Sequence, residues 1–125
     1  MVRDSFAEET EPEVETVLEA LRDEDCRTII RHLEGPMTAS DVSEHCDIPL
    51  STTYRKLDTM ADATLLEELT EIRTDGRHTT RYRLDFDEVL LAVEDDRTLD
   101  MRISRPARSA DERLEYLWSE VRKGI

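Results

Sequence analysis

Glycine is nearly absent, with three in 125 residues. A Gly-rich loop that lets backbone amides cradle phosphates cannot be built from so few. Lysine is scarcer still, Lys56 and Lys123 standing against fifteen arginines. Two cysteines do not make a disulfide framework in a chain of this size, which points to a reducing compartment. No stretch approaches the ~18 apolar residues of a transmembrane helix, and the N-terminus lacks the basic-then-apolar order of a signal peptide. A cytoplasmic protein of about one domain is the expectation.

What the chain has in excess is acid: 31 Asp and Glu against 17 Lys and Arg, a net charge of −14. Taken as a sum, that charge repels a phosphate backbone. Its distribution matters more. Residues 1–48 carry 14 acids and 4 bases, residues 84–125 carry 11 and 7, and residues 49–83 carry 6 of each. One window is spared, and it holds Arg55, Lys56, Arg73, Arg77, Arg81, Arg83 and His78. Abundant carboxylates, scarce Lys and retained Arg resemble proteins of salt-loving archaea. In molar salt the Debye length falls to about 3 Å, which screens such self-repulsion.

Residues 1–11 are acidic and unpatterned, a flexible tail. Pro12 opens a helical pattern at Val14, Val17, Leu18 and Leu21, and Asp23 or Asp25 can cap a second at Cys26, Ile29, Ile30 and Leu33. Thr38 with Asp41 forms a capping box for a short helix whose inward face is Ala39, Val42 and Cys46. Cys46 to Ile48 makes a three-residue break, and Pro49 opens the next helix. There Thr53, Leu57, Met60 and Ala61 point one way, while Ser51, Thr52, Tyr54, Arg55 and Thr59 point the other. Residues 67–84 change to a period of two around Thr74-Asp75-Gly76, the pattern of a hairpin. Its returning strand places Thr79, Arg81 and Arg83 on one basic face. A second hairpin, Val89 to Val93 against Leu99 to Ile103, competes with a helical turn over Glu88 to Val93. Ser109 with Glu112 caps a last helix, striped by Leu114, Leu117, Trp118 and Val121.

The order of elements is that of a helix-turn-helix followed by a wing. The fold expected is mainly α with small β (α+β). Residues 12–84 are the winged domain, and residues 85–125 are a second hairpin with a C-terminal dimerisation helix. In such a pair the first capped helix braces the second, which presents small hydroxyls and an Arg to a major groove. The stretch from Met37 through Ser51-Thr52-Thr53-Tyr54-Arg55-Lys56-Leu57 to Leu65-Leu66 resembles the ArsR/MarR-type winged-helix transcription regulators, particularly their acidic haloarchaeal members. That resemblance implies a sequence-specific DNA-binding regulator. On the matching positions it would set Ser51, Thr52, Tyr54 and Arg55 against bases, and Lys56 and Thr38 against phosphates. Arg77, with Arg73, Arg81 or His78 beside it, would be the wing contact. Bland alternatives stand next to these roles: Tyr54 as a half-buried helix aromatic, the wing arginines as solvated strand faces.

No metal site is expected. Cys26 and Cys46 lie 20 residues apart, and the adjacent His45 and Cys46 project about 100° apart on a helix. No cofactor is implied. Cys26 is a redox candidate if a helix N-terminus lowers its pKa, with packing as the alternative. Leu114, Leu117, Trp118 and Val121 are the candidate dimer interface, with folding back onto the same domain as the alternative. A two-fold dimer sets two recognition helices ~34 Å apart on a palindromic promoter site. Little suggests an enzyme: carboxylates are many, but no pair stands in an apolar setting that would split their pKa values into acid and base, and Ser, His and Asp occur without a strained nucleophile turn. The competing function is a winged-helix interaction module of a transcription complex, with the basal transcription machinery as partner and no reading of DNA sequence.

Overall fold

The structure, a computed structural model, describes residues 12–107. The acidic tail and the helix expected at Leu114, Leu117, Trp118 and Val121 lie outside the described residues. Helix α1 is Val14–Arg22 and α2 is Glu24–His32, so one residue separates them. Pro12 stands just ahead of α1, and Glu13 takes the cap position. Asp23 has extended backbone that ends α1, and its carboxylate accepts from the Cys26 amide at 3.0 Å to begin α2. Of the two caps the sequence offered, Asp23 is the one used.

Past Gly35, whose φ of 79° turns the chain, a two-residue strand β1 (Met37–Thr38) leads into α3 (Ala39–Cys46). The expected capping box is formed. The Thr38 hydroxyl accepts from the Asp41 amide at 3.1 Å, and the Asp41 carboxylate accepts from the Thr38 amide at 3.2 Å. Helix α3 keeps Cys46 and ends on Asp47, which is left-handed at φ 55°. The break therefore sits at residues 47–49, one position later than the sequence suggests. Ser43 stiffens it by donating its hydroxyl to the Ile48 carbonyl at 2.5 Å. Helix α4, Leu50–Asp62, buries Thr53, Leu57 and Met60, a stripe at i, i+4 and i+7. The fully buried Thr53 hydroxyl donates back to the Pro49 carbonyl at 3.1 Å and so leaves no orphaned polar group.

Strands β2 (Leu66–Ile72) and β3 (His78–Leu84) form the expected hairpin, closed by Gly76 at φ 84°. Strand β1 pairs with the other edge of β3, giving a three-stranded antiparallel sheet in the order β1-β3-β2. The competition over residues 88–93 resolves as a strand. Strands β4 (Glu88–Val93) and β5 (Leu99–Ser104) form a separate two-stranded ribbon. Its register puts Val89, Leu91 and Val93 opposite Ile103, Met101 and Leu99, which gathers every one of these apolar residues on a single face.

Two buried clusters hold the elements together. One joins Cys26 and Ile29 of α2, Val42 of α3, Leu57 and Met60 of α4 and Tyr82 of β3. It fixes the angle between α3 and α4 and seats the wing sheet against them. The other joins Val17 and Ala20 of α1 to Ala63 and Leu65, with Val89, Met101 and Ile103 of the ribbon packed against it. The result is an α+β winged helix-turn-helix carrying an appended ribbon.

Candidate nucleic-acid interface

Burying Thr53, Leu57 and Met60 leaves the opposite side of α4 outward. Ser51 and Arg55 are exposed there, Tyr54 is 48% exposed and Thr52 is half-buried. Pro49 removes one amide from the helix start, and no side chain caps it. Free amides at a helix N-terminus carry partial positive charge and suit an anion. Arg55 makes no ion pair among the described residues. Its guanidinium can therefore fork onto an acceptor pair from outside.

The wing turn contributes Arg73, Arg77 and His78, all exposed. The Arg77 side chain is 83% exposed and only brushes Asp75, at 3.9 Å. Arg73 closes the turn through its backbone, its amide donating to the Arg77 carbonyl at 2.7 Å. Its side chain makes no ion pair among the described residues.

Several sequence-based assignments change. Lys56 does not face outward. It runs back to α2, where its ammonium meets the Asp23 carboxylate at 2.6 Å with the side chain 20% exposed. The cause is steric register: one position past Arg55, the helix turns the side chain from the open face toward the α2 N-terminus. That pair holds the Asp23 carboxyl below the usual carboxylate range and raises the Lys56 ammonium. The wing face expected to be basic is a ladder of opposite charges. Arg83 meets Glu67 at 2.8 Å and Arg81 meets Glu71 at 3.2 Å, because antiparallel register sets the β2 acids beside the β3 bases. Arg81 is thus engaged by the chain's own acid. Thr38 is half-buried and uses its oxygen as a cap, which leaves the hydroxyl hydrogen free to donate.

The thiol environment is the reverse of a sensor's. Cys26 is fully buried, and burial, with the nearby Asp23 carboxylate, pushes its pKa up to about 12. The helix N-terminus does not win, because the capping carboxylate already occupies it. Cys46 is raised as well, first by burial and then by Asp25. Iodoacetamide at about pH 8 is expected to leave Cys26 unmodified until the protein unfolds. Mass-spectrometric detection of a modified Cys26 in the native state would overturn this assignment.

Two features of the framework had no signal in the sequence. One is the Asp23–Lys56 clamp. The other is Arg105, whose guanidinium donates to the Thr64 carbonyl at 2.5 Å, the Thr64 hydroxyl at 2.7 Å and the Asp85 carbonyl at 3.0 Å. Thr64 is left-handed at φ 60°, and this fork ties the ribbon to the end of α4. Both link residues far apart in the chain, where spacing carries no information. Among the described residues no three His, Cys, Asp or Glu side chains group to hold a metal ion, and no helix is long and apolar enough to cross a membrane.

Residues 18–68 match the family model of a helix-turn-helix domain, the segment from within α1 to the start of β2. Among solved structures, a chain described as a possible transcriptional regulator from Methanosarcina mazei Go1 is similar. It is 17% identical over 57% of this chain, with a TM-score of 0.46. The similarity covers 64% of that chain, less than two thirds of its length. No curated protein matches.

Proposed function

We propose that the chain is a DNA-binding transcriptional regulator that sets the N-terminal half of α4 into a major groove and braces it with the wing turn. The observation that carries this reading is the exposed face of Ser51, Tyr54 and Arg55. It lies within the helix-turn-helix match, and its Arg pairs with no acid among the described residues of a chain of net charge −14. An Arg donating two hydrogen bonds to a guanine edge, with short hydroxyls beside it, is the chemistry of sequence reading. Arg73, Arg77 and His78 are the proposed wing contacts to the backbone, and Thr38 a minor one. Two copies acting as a homodimer, paired through residues 85–125, would read a palindrome with half-sites about one duplex turn apart.

The second reading is an interaction module that does not read sequence. Its support is the self-neutralised ladder of Glu67, Glu71, Arg81 and Arg83, which removes two cations from the wing. Recovery of chromosomal DNA fragments by the purified protein in multimolar KCl separates the two. Enrichment of a shared palindromic site is the expected result, and sequence-independent recovery or none favours the interaction module. Simple counterion release lowers affinity with a slope of about −0.9 per phosphate contact. With acidic flanks that must take up cations near DNA, the expected slope is much flatter.

A further inference from the structure

The wing has one root, and a residue outside the wing grips that root from both sides. Strand β2 starts two residues after Thr64, and β3 ends one residue before Asp85. The Asp85 amide donates to the Leu65 carbonyl at 2.9 Å, which closes the root. Arg105, the residue that follows β5, lays its guanidinium across both sides. One terminal nitrogen donates to the Thr64 carbonyl at 2.5 Å and the Asp85 carbonyl at 3.0 Å, and lies 3.4 Å from the Asp85 carboxylate. The other donates to the Thr64 hydroxyl at 2.7 Å.

The grip falls on a strained residue. Helix α4 ends in a Schellman turn, with the Leu65 amide donating to the Met60 carbonyl at 3.0 Å and the Thr64 amide to the Ala61 carbonyl at 2.9 Å. Such a turn needs one left-handed residue, and here it is Thr64 at φ 60°. Glycine takes that conformation freely, whereas a β-branched side chain crowds its own backbone there and has to be held by its surroundings. Arg105 binds both the carbonyl and the hydroxyl of Thr64, and so holds it.

We propose that Arg105 is a positioning residue for the DNA interface: by holding Thr64 left-handed and bracing it to Asp85, it fixes the angle between α4 and the wing. The inference rests on the reading that α4 and the wing turn bind DNA together. Leverage gives the brace its importance. From Leu66 to Ile72 the strand runs about 20 Å, so a turn of ~10° at the root carries the wing tip with Arg77 about 3–4 Å. A hydrogen bond to a phosphate does not survive that displacement. Arg55 stands on α4, ahead of the joint, and keeps its place.

Two measurements on the full chain in multimolar KCl test this. The first reads the wing directly, as the distance between spin labels at Glu44→Cys on α3 and Thr74→Cys on the wing turn. Cys46→Ser is included, and Cys26 is buried, so no other thiol is labelled. One narrow distance is expected with Arg105 in place and a broad or displaced one in Arg105→Ala. It should narrow again when Thr64→Gly is added, because glycine keeps the turn unaided. Arg105→Lys keeps the charge beside Asp85 but cannot fork onto Thr64, and it should broaden the distance as well. The second measurement reads affinity for the DNA site that the wild-type chain enriches. Arg105→Ala should weaken it about 10-fold, the worth of one charge-assisted hydrogen bond, as Arg77→Ala does. Combining these two should cost no more than either alone, while Arg55→Ala stays additive with Arg105→Ala. An unchanged distance in Arg105→Ala, or one that Thr64→Gly does not restore, would overturn the inference alone. So would full additivity of Arg105→Ala with Arg77→Ala. Affinity indifferent to both Arg55→Ala and Arg77→Ala would defeat the DNA reading, and the positioning role with it, whatever the distances show.

Discussion

Replacing Arg55 and Arg77 together by alanine is expected to abolish site-specific DNA recovery while leaving the fold intact. A bidentate Arg contact to a base carries about 1–3 kcal/mol of discrimination, and a wing contact to a phosphate adds an electrostatic share. The combined loss corresponds to roughly 30- to 1,000-fold in affinity at fixed salt. Stability should change little, because both side chains are exposed and Arg77 touches only an exposed Asp75 at 3.9 Å. The two single variants should differ in kind. Arg55→Ala should relax the preferred sequence, and Arg77→Ala should weaken all sequences about equally. Arg102→Ala is the matched control, since that side chain pairs with Asp100 on the ribbon. Undiminished enrichment in the double variant would remove α4 and the wing from the interface and leave the interaction module as the better account.

The largest effect on stability is expected from Asp23→Ala. Asp23 caps α2 and meets Lys56 of α4, so one carboxylate fastens two helices of the core. Loss of an N-cap costs about 1 kcal/mol. Loss of a partly buried charge-assisted bond adds roughly 1–2 kcal/mol, for a total near 2–3. In a domain of about 100 residues this lowers the melting midpoint by roughly 10–20 °C. Lys56→Met should cost only about 1 kcal/mol, because its chain still covers the core and Asp23 keeps its cap. The pair also fixes a pH signature. The Asp23 carboxyl is held low, so its contribution is complete above the ordinary carboxylate range and is lost as pH falls through the folded value. The Lys56 ammonium is raised, so its contribution is complete below 10.5 and is lost as pH climbs through the folded value. Asp23→Ala should flatten both limbs of a stability–pH curve. Limbs of unchanged size would assign the acid and alkaline losses to other groups.

Local chemistry accounts for what could be foreseen in this chain. The Thr38–Asp41 capping box, the Asp23 cap, the turn at Gly76 and the stripe of Thr53, Leu57 and Met60 rest on contacts between near neighbours. Short-range hydrogen bonds and a helical or two-residue period are written directly in the order of residues. Arg55 belongs to the same class, since the buried side of α4 dictates the exposed one. Charge assignments fared differently. Arg81, Arg83 and Lys56 looked available because their acids, Glu71, Glu67 and Asp23, sit 10, 16 and 33 positions away in the chain.

The sequence by itself therefore determined the helices of residues 14–62, the wing hairpin and the face that α4 turns outward, because each follows from groups within one turn or one strand pair, whereas the second hairpin competed with a helical turn until the structure resolved it. Only the tertiary structure decided which cations are paired with the chain's own acids, that Cys26 is sealed behind a capping carboxylate, and that Arg105 locks the ribbon onto Thr64. Coulombic pairing and burial depend on distance in space, and packing brings together residues whose separation along the chain holds no trace of it.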